Sequence, residues 1–181
     1  MAAYRSAARL FPGCHLANLF IGMEYLRMNN LQTAIDFFKQ AKEICPNDPL
    51  IFNEIGVCFY KLKDYDQAQE NLGIAMSFCK DTNSQTYESV LLNLAHCHRK
   101  NKEYESAVSL YEQCLSINSG QASTLAALGF TLHQMGEVQE ALNYYHKAHF
   151  INGEDSMLET LVQKAMEDIH DFPIDESYFK M

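Results

Sequence analysis

Apolar and polar residues follow one another along the chain with the period of an α-helix. In four places an apolar residue, in order Ile21, Ile55, Leu94 and Leu128, stands directly before a small residue. Three positions after the small residue comes a larger side chain, in order Tyr25, Phe59, His98 and Leu132. The four small residues are Gly22, Gly56, Ala95 and Gly129. Their intervals are 34, 39 and 34 residues. Because side chains three or four residues apart share one face of a helix, the pattern predicts amphipathic helices.

A second series of small residues keeps the same three intervals. Its members are Ala34, Ala68, Ala107 and Ala141. Four residues beyond each stands a bulky side chain, in order Phe38, Leu72, Tyr111 and Tyr145. Short polar turns separate the two series, so each unit of about 34 residues is predicted to be a helical hairpin. Small residues suit the point where two helices cross, because a larger side chain would hold the backbones apart.

The unequal interval indicates five inserted residues between the second and third units. They are predicted to form a loop in the polar stretch around residues 80–86. At the other end, residues 2–11 have the register of a second helix whose first helix is missing, so we expect the chain to begin in mid-repeat, either as a fragment or because it comes from a truncated gene model. After residue 153 the register ends, and one further helix is expected to cover the last hairpin.

The net charge limits which partners the chain can bind, and the cysteines indicate the compartment in which it works. Fourteen basic and twenty-three acidic side chains give a net charge of −9, which repels nucleic-acid phosphates and anionic membranes. The six cysteines include no C-x-x-C pair, which indicates reduced thiols inside the cell. No apolar run approaches the roughly 20 residues of a membrane span, and the first residues lack the apolar core of a signal peptide. We expect a protein of the nucleus and cytoplasm that binds neither nucleic acid nor membrane.

The recurring positions of each unit resemble those of the tetratricopeptide repeat family. That resemblance implies an all-α fold, a right-handed superhelix of antiparallel hairpins with a C-terminal capping helix. The implied segments are the second helix of a truncated repeat (1–14), four repeats (15–48, 49–82 with the loop insertion 80–86, 88–121 and 122–155), the capping helix (156–170) and a flexible tail (171–181).

Longer strings narrow the resemblance to one branch of that family. AAYRSAARLFPGCHLANLFIGMEY, FFKQAKEICPNDPLIFNEIGV, LLNLAHCHRKNKEY and ALNYYHKAH are similar to the carboxy-terminal repeats of the subunit-six proteins (cell-division-cycle protein sixteen type) of the anaphase-promoting complex, and most of all to plant forms. This resemblance implies a non-catalytic scaffold in a ubiquitin ligase of cell-cycle control. Its partners would be other subunits of that complex, including a small accessory subunit held in the concave groove. The family's dimerising repeats lie near its amino terminus, so we expect this piece to be monomeric.

The first helix of each hairpin is expected to line that groove. The side chains expected there lie next to the four small residues of the first series but off the packed helix face. They are Leu19, Met23, Leu26, Asn53, Val57, Tyr60, Asn93, His96, Arg99, Phe130 and His133. Such a surface combines apolar pockets with amides that can bond a peptide backbone. For any one of them, packing against a neighbouring helix is an equally open interpretation. A generic intracellular adaptor or cochaperone is the alternative function, although repeats that clasp carboxylate tails use lysine and asparagine where this chain has Leu19 and Met23.

No metal or cofactor site is predicted. His96, Cys97 and His98 are consecutive, and neighbours on a helix point about 100° apart, so they cannot converge on one ion. His146 and His149 share a helix face, but no carboxylate or cysteine stands at ligand spacing beside them. The eight glycines stand singly, so there is no phosphate-cradling loop.

No catalytic residue is predicted either. Cys58 and Cys114 lie in apolar helical segments, where a buried structural thiol is the expected state. A cysteine and a histidine brought together in space stay open as a remote enzymatic alternative.

Overall fold

Helices dominate the structure, a computed structural model that describes residues 2–82, 84–153 and 155–171. In chain order the helices are α1 (Ala2–Leu10), α2 (His15–Arg27), α3 (Leu31–Ile44), α4 (Pro49–Lys61), α5 (Tyr65–Phe78), α6 (Gln85–Lys100), α7 (Tyr104–Ile117), α8 (Ala122–Met135), α9 (Val138–Ile151) and α10 (Ser156–Asp171). The described residues contain no β-strand, which confirms the all-α prediction. None of their helices is both long enough and apolar enough to cross a membrane.

The chain divides into two compact units, residues 1–102 and residues 103–181. In unit 1, α2 and α3 pack together as one helical hairpin, and α4 and α5 pack together as the next. Helix α3 also contacts α4, and α5 contacts α6, so each hairpin is joined to the element that follows it. In unit 2, α8 and α9 form a hairpin, α7 packs on α8, and α10 packs on α9. Each unit buries its apolar side chains between neighbouring helices, as stacked hairpins require.

Gly56 of α4 lies against α5 with too little room for a side chain. A Cβ added there would lie 2.7 Å from Cγ of Leu72, well inside the normal contact distance of two carbon atoms. In unit 2, a Cβ on Gly129 would lie 2.9 Å from ring carbons of Tyr145. The prediction that small residues mark a close helix crossing is confirmed at both positions.

Polar side chains cap the starts of several helices. Asp48, Asp64 and Ser84 accept hydrogen bonds from backbone N–H groups in the first turns of α4, α5 and α6, at 2.9, 3.1 and 3.2 Å. These N–H groups have no partner within their own helix, so the caps fix where each helix begins.

A left-handed backbone conformation recurs in the turns that follow α2, α4, α6 and α8. Asn29, Lys63 and Lys102 have φ angles of 58°, 64° and 64°, and Gly136 has a φ of 90°. These four residues are separated by 34, 39 and 34 residues, so the turn geometry repeats in the register of the small residues. Only the fourth turn uses glycine, the residue that adopts this conformation without steric cost.

The five-residue insertion is not all loop, so the predicted loop at residues 80–86 is too long. Helix α6 begins at Gln85, ten residues before Ala95, whereas α4 begins seven residues before Gly56. Three inserted residues therefore lengthen α6 to 16 residues, and two lengthen the preceding turn. The Ser84 cap explains the difference, because it supplies a helix start earlier than the repeat register requires.

Helix α10 follows the last hairpin of unit 2 and packs on it. It buries Leu158 and Ala165, which are 3% and 0% exposed, against its neighbours. Its last residue is Asp171, where the flexible tail (171–181) was predicted to begin. Residues 172–181 of that predicted tail lie outside the described residues.

Candidate peptide-binding face

In unit 1 the first helices of the hairpins, α2, α4 and α6, share a face that carries both polar and apolar side chains. Helix α4 contacts both α2 and α6, so three first helices are neighbours. Six predicted groove residues on them are half-buried. We call this set the groove face; it consists of Met23, Val57, Tyr60, Asn93, His96 and Arg99.

Three other predicted groove residues are buried, and the expectation of an open position is wrong for them. Leu19 and Leu26 are 1% and 8% exposed and belong to the core cluster around Phe38. Asn53 is 5% exposed. The physical reason is that α4 packs against α2 and α6 against α4, so a side chain directed along the row of first helices meets the next helix instead of solvent.

A pair of amides joins α4 to α6 beneath this face. Asn93 Nδ2 donates a hydrogen bond to Asn53 Oδ1 at 2.9 Å, and Asn53 Nδ2 donates to Glu54 Oε1 at 3.1 Å. The predicted role of Asn53 in bonding a partner backbone is therefore replaced by a structural one. A buried amide is stable only when it is bonded, and this pair fixes the relative register of two first helices.

A small cavity opens on the groove face. Its volume is about 40 Å³, and its lining consists of Val57, Tyr60, Leu72, Asn93, His96 and Cys97. Four of these six are predicted groove residues, so the structure brings them together. The cavity has the size for a methyl or similar small group, and Val57 and Leu72 give it an aliphatic lining. We call its three polar lining residues, Tyr60, Asn93 and His96, the rim.

The rim of the cavity is neutral at physiological pH. Burial, with the charges of Arg99 and Lys100, lowers the pKa of His96 to about 4. Burial also raises the pKa of Tyr60, an effect that the charge of Arg99 partly opposes. Both side chains thus act as uncharged hydrogen-bonding groups, which suits them to backbone amides more than to ions.

Glu54 is a polar residue of this region that the sequence reasoning missed. Burial raises the pKa of its carboxyl, while the hydrogen bond from Asn53 and the charge of Arg27 lower it. It directly follows Asn53 in the chain, but nothing in the repeat pattern separates it from ordinary solvated glutamates. Only its burial reveals it.

In unit 2, the two predicted groove residues of α8 differ. Phe130 is half-buried. His133 is covered by α10: its Nε2 lies 2.7 Å from Asp168 Oδ2, and its side chain is only 12% exposed. The expectation of an open position is therefore wrong for His133, because α10 takes the place beside α8 and α9.

The buried thiols are poor nucleophiles. Burial raises the pKa of both Cys58 and Cys97 to about 12, so neither forms the thiolate that nucleophilic catalysis needs near neutral pH. His98, beside Cys97, forms a hydrogen bond between its Nδ1 and Gln69 Nε2 at 2.9 Å. These contacts favour packing roles for this histidine and these cysteines.

Comparison with known proteins identifies the fold family. Models of the tetratricopeptide repeat match residues 16–48, 49–120 and 121–149. The chain belongs to the tetratricopeptide repeat family. Its two units are therefore built from tetratricopeptide hairpins.

Within the tetratricopeptide repeat family, the chain is similar to subunits of the anaphase-promoting complex. It is 40% identical to subunit 6 from Arabidopsis thaliana over 168 residues, which cover 93% of this chain and 31% of that protein. It is 36% identical to subunit CDC16 from Saccharomyces cerevisiae over 169 residues, 92% of this chain and 20% of that protein. The chain thus spans less than a third of either relative. The predicted resemblance to the subunit-six proteins is confirmed.

A solved structure shows the same tetratricopeptide arrangement. The crystal structure of the APC/C hetero-tetramer Cut9-Hcn1 matches with a TM-score of 0.86 and 28% sequence identity, over 91% of this chain and 32% of that chain. The crystal structure of PilW, a type IV pilus biogenesis factor, has a TM-score of 0.85 at 20% identity, which shows the fold alone.

Proposed function

We propose that this chain is a non-catalytic scaffold segment of the anaphase-promoting complex, the ubiquitin ligase of cell division, and that its groove face holds a segment of a small accessory subunit. The observation that carries the proposal is the 40% identity with subunit 6 along 93% of the chain. The match to Cut9 in its hetero-tetramer with Hcn1 supports a partner subunit. A nuclear and cytoplasmic location belongs to the same proposal.

The groove face has the chemistry of a peptide site. The cavity between Val57 and His96 accepts a small apolar group, and its uncharged rim can bond a peptide backbone without paying to desolvate an ion. Asn93 is held in place by its bond to Asn53 before any partner arrives. Such preorganisation reduces the entropy that binding costs.

A scaffold role also fits the state of the thiols. The two buried cysteines of unit 1 with strongly raised pKa values stay protonated at neutral pH, so they support packing rather than covalent chemistry. In unit 1 the first helices α2, α4 and α6 are neighbours, and together they offer a surface for holding a chain.

The complex is tested by affinity purification of the full-length parent protein from dividing cells, followed by mass spectrometry. We expect other subunits of the anaphase-promoting complex to dominate the recovered proteins. Recovery of chaperones or transport factors in their place would leave the tetratricopeptide fold intact and favour the generic adaptor or cochaperone function.

The groove is tested by titrating the purified chain with a labelled peptide from the accessory subunit. Tyr60→Ala and Asn93→Ala should each weaken binding by about tenfold or more, as truncation of a binding hot spot does. Ser89→Ala is the matched control, because Ser89 is an exposed residue of α6 that bonds only its own helix. Circular dichroism should show unchanged helicity in all three variants. Equal affinities for the control and the two groove-face variants would place the peptide elsewhere.

A further inference from the structure

Three potential metal ligands from three separate elements of unit 1 meet at one end of the first hairpin. They are His15, the first residue of α2; Cys45, directly after α3; and Asp48, the N-cap of α4. One donor atom from each lies within 4.8 Å of the donor atoms of the other two. All three residues are partly buried. From this juxtaposition we infer that His15, Cys45 and Asp48 form a binding site for a zinc ion.

The chemistry of the three donors selects zinc among the common metals. An imidazole nitrogen, a thiolate and a carboxylate oxygen form a mixed set that a borderline-soft ion accepts, whereas magnesium and calcium prefer oxygen alone. A thiolate and a carboxylate carry two negative charges, which balance a divalent cation. Binding releases the Cys45 thiol proton to solvent, and the His15 ring proton that bonds Asp48 moves from Nε2 to Nδ1, so that the Nε2 lone pair can hold the ion. Because protons compete with the ion for these donor atoms, affinity should fall as pH is lowered.

The geometry is close to what a tetrahedral ion needs. Ligands at about 2.0–2.3 Å from zinc lie roughly 3.5 Å from one another. His15 Nε2 and Asp48 Oδ2 are 2.9 Å apart, and the Cys45 thiol lies within 4.8 Å of one donor atom of each of these two residues. Small side-chain rotations therefore bring the three donors to the required spacing, and the ion replaces the hydrogen bond between histidine and aspartate.

Asp48 divides its two oxygens between separate tasks. Oδ1 accepts the backbone N–H of Leu50 at 2.9 Å and caps α4, while Oδ2 faces His15. The cap holds the carboxylate in position, as the outer bonds of metal ligands do, and leaves Oδ2 for the ion. With side-chain exposures of 23% for His15 and 15% for Asp48, the site is sheltered yet reachable by a water molecule as fourth ligand.

The tetratricopeptide architecture does not itself require these three residues. In the next repeat, 34 residues further on, the same positions hold Pro49, Cys79 and Thr82. Only the thiol recurs there, so the second repeat provides an internal comparison. The ion would tie the start of α2 to the junction between α3 and α4, where the first two hairpins meet. This inference stands independently of the proposed function.

The site is tested on the full chain, stripped of metal with a chelator and titrated first with Zn²⁺ by calorimetry and then with Co²⁺ by absorption spectroscopy. We expect one zinc ion per chain and, with cobalt, the charge-transfer band of a bound thiolate. Cys45→Ser should abolish this band and lower the zinc affinity by at least about tenfold. Asp48→Asn should lower the affinity similarly while keeping the cap of α4, since asparagine is an equally good N-cap.

Two thiol variants serve as matched controls. Cys79→Ser removes the thiol at the equivalent position of the second repeat, and Cys14→Ser removes the exposed thiol next to His15. Both should keep the band and the affinity of the unaltered chain. The inference is overturned if cobalt binds without a thiolate band, if Cys45→Ser binds zinc as tightly as Cys79→Ser, or if no zinc binds at all.

Discussion

Leu72 of α5 packs so closely on Gly56 of α4 that a methyl group on the glycine would lie 2.7 Å from the leucine Cγ. Gly56→Ala should therefore lower the free energy of unfolding by about 1–3 kcal/mol, because an overpacked crossing must move apart. Gly73→Ala is the control, since a Cβ at that helical glycine meets nothing within 4 Å. It should raise stability by about 0.5–1 kcal/mol through helix propensity. Urea denaturation of the two variants distinguishes the two effects, because overpacking lowers the free energy of unfolding whereas a gain in helix propensity raises it.

The left-handed turn residues lead to a second prediction. Lys63 and Lys102 are exposed and hold φ angles of 64°, a conformation that costs a side-chain-bearing residue energy. Lys63→Gly and Lys102→Gly should each raise the free energy of unfolding by about 0.5–1 kcal/mol. Lys39→Gly, at an exposed position in the middle of helix α3, should lower it by a similar amount. A loss of stability in all three variants would mean that the lysine side chains contribute more than the backbone does.

The docking of α10 leads to a third prediction. Leu158 is 3% exposed in a cluster with Leu125 and Ala148, so Leu158→Ala should cost about 2–5 kcal/mol of unit 2 stability. Met157→Ala, next to it but 68% exposed, should change stability by less than about 0.5 kcal/mol. Hydrogen exchange of the α10 amides beside urea denaturation checks both expectations. Equal protection of α10 in the two variants would show that this helix does not depend on its buried leucine.

The repeat period made the hairpins predictable, because spacing alone distinguishes the residues at a helix crossing. Gly56 and Leu72 were identified in this way, and the structure places them in contact. The extension of α6 was less predictable, since the Ser84 cap is a local choice that the repeat register does not encode.

The groove was only partly predictable for a different physical reason. Leu19 and Met23 lie four residues apart on α2, yet one is buried and the other half-buried. Their exposure depends on how α4 packs beside α2, which is a property of the stack rather than of one helix. The cluster of His15, Cys45 and Asp48 escaped the sequence reasoning because its members belong to three elements that only the folded chain brings together.

The histidine of the groove face leads to a fourth prediction, on pH. His96 has an ordinary pKa of 6.5 in the unfolded chain, and burial with the charges of Arg99 and Lys100 lowers it to about 4 in the folded chain. At a pH between these two pKa values, His96 is protonated in the unfolded chain but neutral in the folded chain. Stability should therefore fall as pH drops from about 6.5 to about 4, and His96→Gln should remove that part of the loss.

Comparing the unaltered chain with the His96→Gln variant separates the effect of this histidine on stability from the effects of the carboxylates. Burial raises the pKa of Glu54, so protonation of that group favours the folded chain on acidification, which is the opposite sign. Glu54 is present in both proteins, and its contribution largely cancels in their difference. The measurement is the urea midpoint of each protein at half-unit steps from pH 7 to pH 4. Parallel curves would show that His96 is not the group that senses the acid, whereas a shallower slope for His96→Gln would identify it.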